Sequence, residues 1–126
     1  MKKLFLTICL TAMLSTPAMS ACDGGTEYTV DGDTFCISNI GLNWWSAANW
    51  CKANGMRLAT IYEVCPDWNG GTGNGSCGRE IGSSNGGYGW TATVSGNSNA
   101  FIDHLSSDYL ASYNRNDETN RALCTN

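Results

Sequence analysis

Six cysteines, at positions 22, 36, 51, 65, 77 and 124, constrain this chain more than any other feature of its sequence. They follow a segment with the form of an export signal. Lys2 and Lys3 supply a positive end, Leu4 to Leu14 an apolar run, and Ala18-Met19-Ser20 a small-residue cleavage site. Residues 1–20 are therefore expected to be removed, and Cys9 with them. The remaining even number of cysteines in an exported chain predicts three disulfides. Sequence alone leaves many pairings open. The leader's apolar run is too short to span a bilayer, and no later stretch is apolar enough to insert after signal cleavage. Met19-Ser20-Ala21-Cys22 also resembles a lipoprotein box, with Met where Leu is usual. Lipidating Cys22 would strand one of the other five cysteines, which counts against that anchor. Residues 21–126 suffice for one domain and are too few for two.

The exported portion keeps five basic residues, Lys52, Arg57, Arg79, Arg115 and Arg121, against eleven acidic ones, a net charge of −6. That balance disfavours nucleic acid and anionic membrane surfaces as partners.

The stretch from Asn43 to Ile61 carries the clearest local signals. Asn43 is placed to cap a helix, because its side-chain oxygen can accept from the first free amides. Trp44, Ala47, Ala48 and Cys51 then share one helical face. Trp45 and Trp50 point elsewhere and are expected to pack under a hairpin or loop. Gly55 supplies the left-handed residue that ends the helix. Met56 to Ala59 reads as a short extended segment. Thr60-Ile61-Tyr62-Glu63 is a capping box opening a second helix, which Pro66 must end.

The Asn-Trp-aromatic-Ser-Ala helix start, Trp50-Cys51, Gly55 and Leu58-Ala59-Thr60-Ile61 together resemble the first-helix segment of C-type lectin-like domains. Ala122-Leu123-Cys124 stands where that family places a final cysteine bridging back to this helix. The resemblance implies an α+β domain over residues 21–126, with two helices packed on small antiparallel sheets. With the cysteine spacing, it favours the pairs Cys22–Cys36, Cys51–Cys124 and Cys65–Cys77. It also implies a habit of ligand binding without specifying a ligand. The family's calcium triplets, Glu-Pro-Asn or Gln-Pro-Asp with a later Trp-Asn-Asp, do not occur in this sequence.

Along the chain, Tyr28-Thr29-Val30 and Thr34 to Ile37 flank Asp31-Gly32, a strong hairpin signal. Residues 69–89 are dominated by Gly, Asn and Ser, and only Ile81 offers much apolar surface. Long loops in compact domains are usually functional or mobile. Residues 88–94 (YGWTATV) alternate as a strand, with Trp90, Ala92 and Val94 on one face. Residues 99–105 read as a second strand, with Phe101, Asp103 and Leu105 on one side and Ile102 and His104 on the other. Residues 109–113 and 121–125 read as further strands, joined by a polar turn over 114–120.

No catalytic constellation emerges. With every exported cysteine assigned to a disulfide, no thiolate remains for zinc or nucleophilic chemistry. The single histidine, His104, has no marked nucleophile beside it. Asp67, Asn69, Asn74 and Glu80 do not have the spacing of a calcium loop. The glycine run 70–75 has no lysine and opens no helix, unlike a phosphate cradle. No cofactor or metal is expected, and the chain does not read as an enzyme. What remains is aromatic and polar surface: Trp68, Tyr88, Trp90, Tyr109 and Tyr113. Such residues suit sugar rings and protein surfaces. The expectation is an exported, calcium-independent binding module for a protein or glycan at the cell envelope, secreted, periplasmic or on the cell surface. The alternative is a structural subunit or cap of an exported fibre or surface assembly.

Overall fold

The computed structural model describes residues 22–83 and 86–126. The leader expected over residues 1–20 lies outside them. Strands β1 (Gly25–Val30) and β2 (Asp33–Gly41) form the first hairpin. Its two turn residues, Asp31 and Gly32, both have positive φ, at 50° and 84°. This is the handedness that matches strand twist in a two-residue turn. Helix α1 spans Trp44–Ala53, and the Asn43 side chain accepts from the Ser46 amide. Gly55, at φ 72°, ends it. There the Gly55 amide donates to the Lys52 carbonyl and the Met56 amide to that of Cys51. Strand β3 (Arg57–Leu58) leads into α2 (Ile61–Val64), whose capping box is closed in both directions by Thr60 and Glu63.

The remaining strands are β4 (Gly73–Asn74), β5 (Tyr88–Val94), β6 (Asn99–His104), β7 (Tyr109–Asn114) and β8 (Arg121–Thr125). All the strands join one sheet in the order β1-β2-β8-β5-β6-β7-β4, with β3 also on β8. The small antiparallel sheets expected from the sequence are replaced by this single mixed sheet, because β5 and β8 pair in parallel. The reason lies in residues 115–120. β6 runs against β5, and β7 against β6, so β7 runs with β5. β8 also runs with β5, so the chain must cross back first, as parallel neighbours require. This segment is a crossover rather than the expected turn. It is pinned where the Trp44 amide donates to the Arg115 carbonyl and the Leu42 amide to that of Asn120.

Alternate residues of the sheet feed two cores. Leu123 joins Ile37, Ile61, Leu105 and Leu110 on one face. Ala122 and Cys124 join Ala47, Cys51, Trp90 and Ile102 on the other, under α1. Trp90 is 0% exposed, and its indole N–H donates to the Leu42 carbonyl at 2.7 Å. Trp50 packs beneath the first hairpin; a Cβ at Gly25 would stand 2.7 Å from its ring, so only glycine fits there. The disulfides are Cys22–Cys36, Cys51–Cys124 and Cys65–Cys77, with Cα atoms 6.1, 5.5 and 4.7 Å apart. The Cys22 sulfur is thus committed to a protein bond. Three disulfides are what an oxidising compartment permits. Among the described residues no helix is long and apolar enough to cross a membrane.

The glycine-rich segment after α2 is tied down more firmly than its composition suggests. Arg79 reaches back under it. Its Nε donates to the Val64 carbonyl at 2.6 Å and its Nη2 to the Glu63 carbonyl at 2.6 Å, satisfying the free end of α2. Nη1 pairs with Asp33 at 3.1 Å, and the guanidinium lies over the Phe35 ring. From the other side the Asp108 carboxylate accepts from the amides of Cys77 and Gly78, at 2.8 and 2.7 Å. Ile81 is buried in the core, and Ser76 and Ser83 are buried beside it.

Candidate functional site

The five aromatic residues singled out from the sequence divide three ways. Trp90 is in the core and leaves the set. Trp68 packs over the opposite face of the sheet, edge-on to Tyr62 and Phe101, with its indole N–H donating to the Gly71 carbonyl. Tyr88, Tyr109 and Tyr113 come together. The registers Tyr88↔His104, Ala100↔Tyr113 and Ile102↔Ala111 put these three tyrosines and His104 on the same face of β5, β6 and β7. Tyr88 is the centre. Its ring stacks on Tyr113 at 6.3 Å, meets Tyr109 at 6.3 Å, and meets the His104 imidazole edge-on at 4.9 Å. Burial first, then the neighbouring Tyr109 and Tyr113, hold the Tyr88 phenol above its usual range.

Tyr113 is 42% exposed, while Tyr88, His104 and Tyr109 are half-buried. The rings are therefore held by one another while part of their surface stays in water. His104 lies on β6 with intermediate exposure, as a strand histidine should, and it also forms the fourth ring of the cluster. Its Nδ1 faces the Ser106 amide and hydroxyl, both at 3.3 Å, which orients the imidazole. Period-two alternation on β6 already put His104 on the Ile102 side. That β6 lies between β5 and β7 was the missing fact.

A concavity away from this ring cluster was not legible in the sequence. A groove of about 750 Å³ runs along α1. One wall is Trp44, Ala48 and Lys52, at i, i+4 and i+8; Leu58, Ala92 and Met56 supply further apolar surface. Ala48 and Ala92 are small side chains among the larger Trp44, Lys52, Met56 and Leu58 that line it. Its rim carries Arg57 and Glu63, joined through two hydrogen bonds of 2.6 and 2.8 Å. The Arg57 pairing, reinforced by bonds from Thr60, brings the Glu63 carboxyl down to about 2 against the opposing effect of burial. Elsewhere on α1, Trp45 is exposed, and Arg115 lies over both the Trp44 and Trp45 rings at 5.2 and 5.1 Å.

Metal-ligand chemistry is limited to one cluster among the described residues. Cys65, Cys77 and Asp103 converge within 4.8 Å and are all buried. The two sulfurs are bonded to each other, so they offer no thiolate to a metal. Asp67, Asn69, Asn74 and Glu80 are exposed, and the Asn69 side chain is engaged in a turn with the Gly71 amide. No protein-family model matches the chain, and no curated protein sequence is significantly similar to it.

Proposed function

We propose that this protein is an exported binding module of C-type lectin-like fold. It recognises a protein or glycan surface at the cell envelope without calcium. The observation carrying this reading is the ring cluster of Tyr88, Tyr109, Tyr113 and His104 on one sheet face. Rigid, part-exposed aromatic rings bury large area at low conformational cost, and they stack on sugar rings as readily as on protein side chains. The disulfide pairs support the fold assignment, since each is the pair the family resemblance implies. So does the position of β8 between β2 and β5, which brings the final strand beside the first hairpin. The oxidised cysteines fit export.

The test uses a glycan array and a pull-down from envelope extract, each run with and without chelator. Binding should survive chelation. The double substitution Tyr109→Ala and Tyr113→Ala should weaken it by at least tenfold, the scale of a truncated interface hot spot. The fold should persist, since neither residue belongs to the buried cores. Binding unchanged in this variant would remove the cluster as the recognition surface.

A further inference from the structure

The groove along α1 is separate from the tyrosine face, and its polar groups are nearly all committed. The Thr60 hydroxyl accepts from the Glu63 amide. The Glu63 carboxylate accepts from Arg57 and from the Thr60 amide. Arg57 also donates to the carbonyls of Leu58 and Asn126. The Trp44 indole donates to the Thr91 carbonyl at 3.0 Å. Lys52 is the exception: among the described residues, no carboxylate lies within ion-pair distance of its ammonium. It stands two turns along α1 from Trp44, so the apolar wall between them is ~12 Å long, ending at one positive charge.

This pattern selects among ligands. A peptide laid along the groove would turn part of its backbone N–H and C=O groups toward walls that leave almost nothing to pair them; each group buried there unpaired costs about 1–3 kcal/mol. A hydrocarbon needs no such partners and is favoured by burial alone. A single anionic end would meet the Lys52 ammonium. We propose that the groove along α1 binds a single-chain amphiphile, an acyl chain ending in a carboxylate, with its charged end on Lys52. The volume lies within the usual range for small-molecule sites. Because Glu63 is neutralised by Arg57, it does not repel an anion at the rim.

The probe is sodium dodecanoate below its micelle concentration, with dodecanol as the uncharged comparison, added to the isotope-labelled oxidised protein. Dodecanoate should shift the amide resonances of Ala48, Met56, Leu58 and Ala92. Lys52→Gln, which removes the charge and keeps most of the aliphatic stem in the wall, should weaken dodecanoate by roughly fivefold and leave dodecanol unchanged, the scale of one surface charge pair. Ala48→Leu should close the groove to both. Tyr109→Ala with Tyr113→Ala should leave dodecanoate binding intact, which separates this site from the proposed recognition face. Shifts centred on Tyr88 and Tyr109 would overturn the proposal, as would equal dodecanoate affinity in Lys52→Gln. Shifts at the groove from a glutamate-rich peptide but not from dodecanoate would also overturn it.

Discussion

Asp103 occupies a position that polar residues rarely hold. It is 0% exposed on β6, beside the Cys65–Cys77 disulfide, and neither carboxyl oxygen has a hydrogen-bond partner. Burial chiefly, and then the Asp108 charge, raise its pKa from 3.8 to about 8, with Arg79 opposing. The folded protein therefore keeps the acid protonated where the unfolded chain has released it. Stability from this group is complete below about pH 4. It falls by ~1.4 kcal/mol per pH unit until the folded value near 8 is passed. Urea unfolding of the wild type at pH 5, 6, 7 and 8 should show that downward slope. Asp103→Leu should flatten it and raise stability at pH 8, since an apolar side chain of similar size removes an unpaired buried charge. An unchanged slope in the variant would assign the pH dependence to other groups.

The segment after α2 shows how an element with almost no regular structure can still be fixed. Its glycines contribute no side-chain packing, and left-handed φ at Gly70, Gly75 and Gly78 suits turns rather than strands. What holds it is a disulfide at its base, the Asp108 carboxylate at Cys77 and Gly78, and Arg79 beneath. Arg79 has only 10% of its side chain exposed, so its bonds to the α2 carbonyls are sheltered from water. Arg79→Ala should cost ~2–3 kcal/mol, combining lost charge-assisted hydrogen bonds with carbonyls left unpaired. Hydrogen exchange should accelerate at Cys65 and Cys77 while β5 and β6 stay protected. Exchange unaltered at those amides would mean that the disulfide alone orders the segment.

At the scale of the molecule, chain closure decides stability. Cys51–Cys124 joins residues 73 apart in sequence and ties α1 to β8. In the chain-entropy picture this contributes about 4–5 kcal/mol, against roughly 3 for each shorter loop. A domain of this size is stable by only about 5–15 kcal/mol. The double substitution Cys51→Ala and Cys124→Ala should therefore lower the urea midpoint furthest, to the edge of folding at 37 °C. Cys22→Ala with Cys36→Ala should lower it less. Equal losses would show that loop length does not set the ranking.

The sequence by itself determined whatever depends on near neighbours. The Asp31-Gly32 turn, the Asn43 cap and the Thr60–Glu63 capping box were legible, because each pairs groups a few residues apart. The bounds of β5 and β8 were legible as well, and β7 runs one residue past the expected 109–113. The even cysteine count told that bridges form, but thiols carry no label for their partners. Only the tertiary structure decided which sulfurs meet, why β8 enters in parallel beside β5, and that Arg79 returns to cap α2. It alone gathered Tyr88, His104, Tyr109 and Tyr113 into one surface and left a groove between Ala48 and Ala92. These depend on segments distant in the chain becoming adjacent in space, which the packing of the sheet settles and no local pattern encodes.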